Sequence, residues 1–399
     1  MAGINFYFHV HQPLRLREYD AFSVGNDHNY FKSYLKSDIN KDVLLKVANK
    51  CYLPMNSLLL DLLKKYPHFA CSFSISGIFI EQLEQHAPHV LASFQELAKT
   101  GRVEFIAETF YHSLASIYSK TEFFDQVSAQ VNKIKNTFGY TPKVFRNTEL
   151  IYSNQIAPMV AELGFNGMLV EGVDRYLGWR KPTFVYHAQG MPKFKLLLKN
   201  YKLSDDIAFR FSQRSWSEWP LKAEKYQTWL NHEGIIADVI NLFMDYETFG
   251  EHQWADTGIF SFFEKLVEYV IAEGKHFFTT PSMAFDLFNA KDEFNVPELT
   301  SWADMERDLT AWRGNPAQWD ALEAIYKLET KVKKTKDPQL IHDWRLLQAS
   351  DHYYYMCTKW WNDGDVHAYF SPMPSPYEAY VRFNNALADL AWRVEQLTN

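Results

Sequence analysis

Residues 4–13 read Ile-Asn-Phe-Tyr-Phe-His-Val-His-Gln-Pro. The first seven form an aromatic and β-branched run of strand length, and the proline closes it. An apolar strand that ends in imidazoles and is followed by a helix-forming stretch is the unit from which parallel α/β folds are built. Working outward, the same unit recurs. Residues 43–63 read as a helix, 69–75 as a second strand and 81–99 as a helix stopped at Gly101. Residues 103–107 form a third strand, 121–138 a helix, and 143–149 a fourth strand running up to Glu149. Ser153 stands where it can cap the next helix, which ends before Gly164, and 165–170 form a fifth strand. Between Gly172 and Gly234 the pattern loosens into an insertion-like stretch holding Trp179, Trp216, Trp219 and Trp229. Residues 238–244 restore an apolar strand, 257–272 a helix, and 277–280 a last strand. From about Pro297 the strand signal gives way to helices rich in Trp, Tyr and Leu, with turn-forming residues at Asn362-Asp363-Gly364-Asp365 and prolines across 371–376. The expected organisation is a β/α barrel over residues 1–290 and a helical domain over 291–399 packed on it.

Composition narrows the function. The chain has 399 residues with 41 Lys+Arg, 48 Asp+Glu and a formal charge of −7, without the basic stripe a nucleic-acid partner requires. No apolar stretch approaches the roughly 20 residues of a membrane span, and the N-terminal residues carry no secretory-signal pattern. A cytoplasmic location is expected. Three widely spaced cysteines fit reduced core thiols, with no disulfide and no zinc site. Aromatic residues make up 17% of the chain, and many lie beside charged residues, where their faces can stack on sugar rings.

The strand ends share one property. His9 and His11 follow the first strand, Glu108 and His112 the third, Glu149 the fourth, Glu171 the fifth, and Asp245 and Glu247 the strand at 238–244. In a parallel barrel these ends converge on one mouth, where such folds place their chemistry. Buried carboxylates require a metal, a set of donors or a catalytic use. His9 and His11 lie two apart and share a face, which suits substrate donors, a metal pair or a structural pair. Substrate donors are favoured, because no aspartate adjoins His9-Val10-His11 and no HExxH, CxxC, phosphate-binding loop or nucleophile elbow is present. Asp363-Gly364-Asp365 lacks the remaining spacing of a calcium loop and reads as a solvated turn. No metal and no cofactor is expected.

At His9-Val10-His11-Gln12-Pro13 and at Phe243-Met244-Asp245-Tyr246-Glu247-Thr248-Phe249-Gly250-Glu251-His252 the sequence resembles glycoside hydrolase family 57, the retaining α-glucan enzymes. It is most similar to the short members described as α-amylases. The resemblance extends through Gly101-Arg102-Val103-Glu104, through Phe145-Arg146-Asn147-Thr148-Glu149-Leu150, and to Ser301-Trp302-Ala303-Asp304 with Arg307-Asp308 and Trp312. These five blocks follow the family's order and cover nearly the whole chain. The resemblance implies an incomplete seven-stranded parallel β/α barrel followed by a helical C-terminal region. It implies Glu149 as nucleophile and Asp245 as general acid/base, with His9, His11 and Gln12 on sugar hydroxyls and Glu104 supporting the nucleophile. Glu247 and His252 join the substrate-binding set, Asp308 with them, and Glu247 competes with Asp245 as proton donor. Trp216, Trp302 and Trp312 are candidates for sugar stacking, with core packing as the alternative for each.

The implied activity is double-displacement cleavage of α-1,4-glucosidic bonds in glycogen, starch fragments or maltodextrins. One carboxylate attacks the anomeric carbon and a protonated one releases the leaving oxygen. Asp245 is therefore expected to have a raised pKa, with Met244, Tyr246 and Phe249 as apolar surroundings. Glu149 is expected to stay ionised beside Arg146 or His11. A 4-α-glucanotransferase or branching enzyme would use the same site. Leu150-Ile151-Tyr152 follow Glu149, where transferase and branching members often carry tryptophan. A glucan-binding protein without activity and a metal-dependent deacetylase are the readings from other classes.

Overall fold

A computed structural model describes residues 1–32, 38–359 and 371–398 of the chain. The turn cluster at residues 362–365 lies outside the described residues. The strands are β1 (Gly3–Val10), β2 (Cys71–Ile75), β3 (Val103–Phe105), β4 (Val144–Arg146), β5 (Gly167–Glu171), β6 (Val185–Ala188), β7 (Met191–Lys199), β8 (Val239–Asp245), β9 (Phe277–Phe278) and β10 (Glu293–Phe294).

They form two sheets, one ordered β3-β2-β1-β8 with β9 also on β1, the other β10-β6-β7-β5-β4. The sheets meet through a parallel bridge between Ala107 and Phe145. On the opposite side Asn200 N–H donates to the Asn241 carbonyl at 2.9 Å, and the Asn241 amide donates to the Leu198 carbonyl at 2.9 Å. Strands β1, β2, β3, β4, β5, β7 and β8 therefore stand around one axis as the incomplete seven-stranded barrel.

β1 is buried along its whole length, as a central parallel strand covered on both faces should be. Its alternation assigns the two sides. Ile4, Phe6, Phe8 and Val10 join the outer core beneath the helices, whereas Tyr7 joins Phe243, Val144, Leu169 and Leu197 inside the barrel. Asn5 bonds Asn241 across the neighbouring strand, and the same register sets His9 opposite Asp245. Period-two geometry thus carries His9 to the inward side at the open end of the barrel.

The helix expected over 43–63 is an α-helix (Ile39–Val47), one π turn (Ala48–Tyr52) and a second α-helix (Leu53–Lys65) in succession. The π turn supports the loop after β8. A side chain on Gly250, whose φ is +110°, would bring its Cβ to 1.9 Å from the Lys50 carbonyl oxygen. The helix expected over 81–99 breaks at Ala87-Pro88 into Gly77–His86 and Pro88–Lys99, because proline disfavours a helical residue before it. Ser153 does not cap the next helix with its side chain; Gln155 holds that position. The region that reads as an insertion supplies β6, β7 and the helices Tyr201–Ala208 and Ala223–Glu233. In the C-terminal part, Trp312, Leu322, Trp344 and Phe383 share one core with Phe145, Met168 and Leu196 of the barrel. No helix among the described residues is long and apolar enough to cross a membrane.

Candidate active site

The mouth is organised around three imidazoles. The His112 ring lies 4.2 Å from that of His11 and 4.8 Å from that of His9, each tilted by less than 30°. His9 comes from the end of β1, and His112 from the loop after β3. His9 Nδ1 donates to Asp245 at 3.1 Å, and its Nε2 faces Glu108 at 3.5 Å. His112 donates from Nδ1 to Glu108 at 2.9 Å and from Nε2 to Glu149 at 3.0 Å. Asp245 and Glu149, which leave the ends of β8 and β4, are thus the two ends of one chain through His9, Glu108 and His112.

Glu149 is held on every side. The Trp302 indole N–H donates to its Oε2 at 2.7 Å, and the Ser350 hydroxyl to its Oε1 at 3.1 Å. The Trp302 backbone N–H also bonds the Glu149 carbonyl at 3.1 Å. The backbone at Glu149 is left-handed, with φ 57°, as it is at Leu150 and His112. Such conformations in residues other than glycine cost about 1–3 kcal/mol each and persist where the surroundings impose them. Burial opposes the charge of Glu149, but the hydrogen bond and charge of His112, the charge of Arg146 and the Trp302 N–H outweigh it and hold the carboxyl below its ordinary pKa. The imidazole that bonds Glu149 is His112; His11 instead donates from Nε2 to Asp351 at 3.1 Å and meets Ser76 through Nδ1. Burial and the neighbouring His112 lower His11 to about 4, so it is neutral.

Asp245 differs from the sequence expectation. Met244, Tyr246 and Phe249 point into the outer core beneath the helices, not around the acid. The Asp245 side chain is 41% exposed. Burial raises its pKa less than the His9 hydrogen bond and the His9 and His252 charges lower it, so it is ionised in the free protein. The proton near neutrality sits instead on Glu247, pushed up to about 8 by burial and then by the charge of Asp245. Glu247 accepts from the Tyr52 hydroxyl at 2.5 Å. Gln12 donates to Tyr52 at 3.3 Å and accepts from Arg15 at 3.0 Å, so its side chain supports the Glu247 pocket. His252 reaches Asp245 electrostatically.

Four other candidates lie elsewhere. Glu104 accepts from the Ser282 N–H at 2.9 Å and the Ser282 hydroxyl at 2.5 Å, which ties it to the helix Pro281–Leu287, not to Glu149. Asp308 accepts from the backbone N–H and hydroxyl of Thr310 and serves the local turn. Trp312 is buried in the core beside Tyr354. Trp216 packs edge-on against Trp229. Trp302 is at the site, but Arg146 and Lys199 lie over its ring at 4.8 and 5.3 Å, so its indole positions Glu149 while cations take its face. Trp302→Phe is expected to lower kcat/KM about 10- to 100-fold, the loss of one charge-assisted bond, and to move the acidic limb of the pH profile upward. A rise in KM alone, with the limb unmoved, would return Trp302 to sugar stacking.

Three ligand atoms of His9, Glu108 and His112 lie within 4.8 Å of one another, close enough to surround a metal ion. A ligating imidazole must offer a lone pair. His112 instead faces a carboxylate at each ring nitrogen, which calls for two N–H donors.

Comparison with known proteins agrees with this architecture. The model of Glycosyl hydrolase family 57 matches residues 5–297. A protein of Methanocaldococcus jannaschii, provisionally named an alpha-amylase, is 42% identical over 99% of this chain and 85% of its own length. The 4-alpha-glucanotransferase of Thermococcus litoralis is 23% identical over 43% of this chain and 22% of its own. Among solved structures, a branching enzyme of family 57 from Thermococcus kodakaraensis superposes with a TM-score of 0.70 at 14% identity, covering 100% of this chain and 94% of that one. An alpha-amylase from Thermotoga maritima gives 0.66 at 12% identity, over 100% and 94% of the two chains.

Proposed function

Because the chain belongs to glycosyl hydrolase family 57 and is a glycoside hydrolase, we propose that it cleaves α-1,4-glucosidic bonds of glycogen, starch fragments or maltodextrins with retention of configuration. The observation that carries this reading is the pairing of an ionised, fully positioned Glu149 with a more exposed Asp245 at the two ends of one chain of hydrogen bonds and an ion pair through His112, Glu108 and His9.

In the first step a Glu149 oxygen bonds to the anomeric carbon. The glycosidic C–O bond breaks, and its electron pair leaves on the oxygen, which takes a proton from Asp245. In the second, Asp245 removes a proton from water as the water oxygen displaces Glu149, returning both groups to their starting states. Asp245 is ionised before substrate arrives, so the sugar must change its surroundings. A ring laid over the carboxyl removes water from it and raises its pKa, so that Asp245 takes up a proton from solvent as the substrate binds. Glu247, already protonated, keeps a second negative charge from building up beneath it.

The test is a time course with maltoheptaose. Early products are expected as α-anomers by proton NMR, with shorter oligosaccharides only. β-Anomers would exclude the mechanism, and oligosaccharides longer than seven units would mean that a sugar hydroxyl, not water, resolves the intermediate. Cys51, Cys71 and Cys357 are buried and unpaired, which supports a reducing compartment and a cytoplasmic location.

A further inference from the structure

Glu108 is fully buried, and its two oxygens face His9 and His112. A carboxylate so enclosed is stable only against positive charge. Arg146, also fully buried, approaches it only to 4.0 Å. His112 is close enough to donate to it, and donates at the same time to Glu149 on the far side of its ring.

A neutral imidazole has one N–H, so bonding both carboxylates requires the doubly protonated ring. The groups around that ring fit a cation. His11 and His9 both lie against it, their own rings 6.1 Å apart, Ser350 donates to the same Glu149 oxygen, and Asp351 faces His11. The ring is also anchored by its backbone, since the Ser350 N–H bonds the His112 carbonyl at 2.9 Å.

We propose that Glu108, His112 and Glu149 form a carboxylate–imidazolium–carboxylate triad, in which His112, charged and clamped by Glu108, is a positioning residue that keeps Glu149 ionised and aimed. The proposal rests on Glu149 being the nucleophile. Burial alone would lower His112; its bonds to Glu108 and Glu149 instead raise it to about 9, which agrees with a charged ring across the neutral range.

The pH profile of kcat/KM on maltoheptaose separates this role from simple structural support. In His112→Gln the cation beside Glu149 is gone, so its pKa rises and the acidic limb should move up by about one unit or more. In Glu108→Gln the His112 pKa falls, so activity should be lost as pH rises at least roughly one unit earlier than in the native enzyme. Loss of activity at all pH values without movement of either limb would overturn the triad, leaving Arg146 as sufficient to hold Glu149 charged.

Because both variants alter a buried network, the native protein provides a second reading. With histidines labelled at nitrogen and the His112 signal identified by its absence in His112→Gln, chelator-treated protein should show two N–H-type ring nitrogens from pH 6 to 8. A neutral tautomer there, or stoichiometric zinc binding that removes one N–H, would overturn the proposal. This measurement needs no activity. A failure of the hydrolase reading would appear instead as unchanged hydrolysis by Glu149→Gln.

Discussion

Glu149→Gln is expected to lower kcat on maltoheptaose by roughly 10⁴-fold or more, the scale seen when a covalent nucleophile is removed. The amide matches the carboxylate in size, and with its oxygen at the Oε2 position it still accepts from Trp302 while its NH2 group can donate to the Ser350 oxygen, so the fold should survive and the thermal midpoint change little. The amide lacks the charge that attacks the anomeric carbon. In Glu149→Ala the space left on that face should admit azide, which restores turnover and yields a β-configured glucosyl azide, since it enters opposite the departing α-linked oxygen. A Glu149→Gln enzyme within tenfold of native activity would remove Glu149 from the chemistry.

Asp245→Asn is expected to cost about 10² to 10⁴ in kcat on maltoheptaose, the usual range for a general acid. In kcat/KM, which reports formation of the glycosyl-enzyme, the loss should nearly vanish with α-glucosyl fluoride, whose leaving group needs no proton. That dependence on leaving group identifies a proton donor and separates Asp245 from Glu247. Glu247, raised to about 8, already carries a proton, but it is buried against Tyr52, whereas Asp245 is open to the cup. Glu247→Gln keeps the neutral form and should cost far less. If Glu247→Gln shows the leaving-group signature and Asp245→Asn does not, the acid role moves two residues along the chain.

Much of this architecture is legible in the sequence because parallel strands announce themselves twice, as apolar runs and as polar residues at their ends. Asp245 and His9 can be brought together that way, for each stands at or next to the end of an apolar strand, and the ladder sets the two opposite each other. The hairpin of β6 and β7 is not legible because Met191-Pro192-Lys193 breaks the apolar pattern at its exposed start. The environment of Asp245 departs from the sequence expectation for a geometric reason: residues next to an inward-facing acid point outward, so Met244 and Tyr246 cannot surround it. Glu108 and His112 stood out as strand-end residues, but nothing local told that one imidazole would bridge two carboxylates. Ser350 and Asp351 carry no signal at all, being brought in from a helix 201 and 340 positions away from their partners Glu149 and His11.

That last arrangement bears on how such enzymes can diversify. The helix Ser350–Tyr354 completes the cup from beyond the residues that the family model spans, so barrel and helices cannot be exchanged freely between homologues. A chimera that imports foreign helices without an acceptor for His11 and a donor for Glu149 inherits a mismatched cup. Substitutions at positions 11 and 351 should therefore be tolerated in pairs sooner than singly.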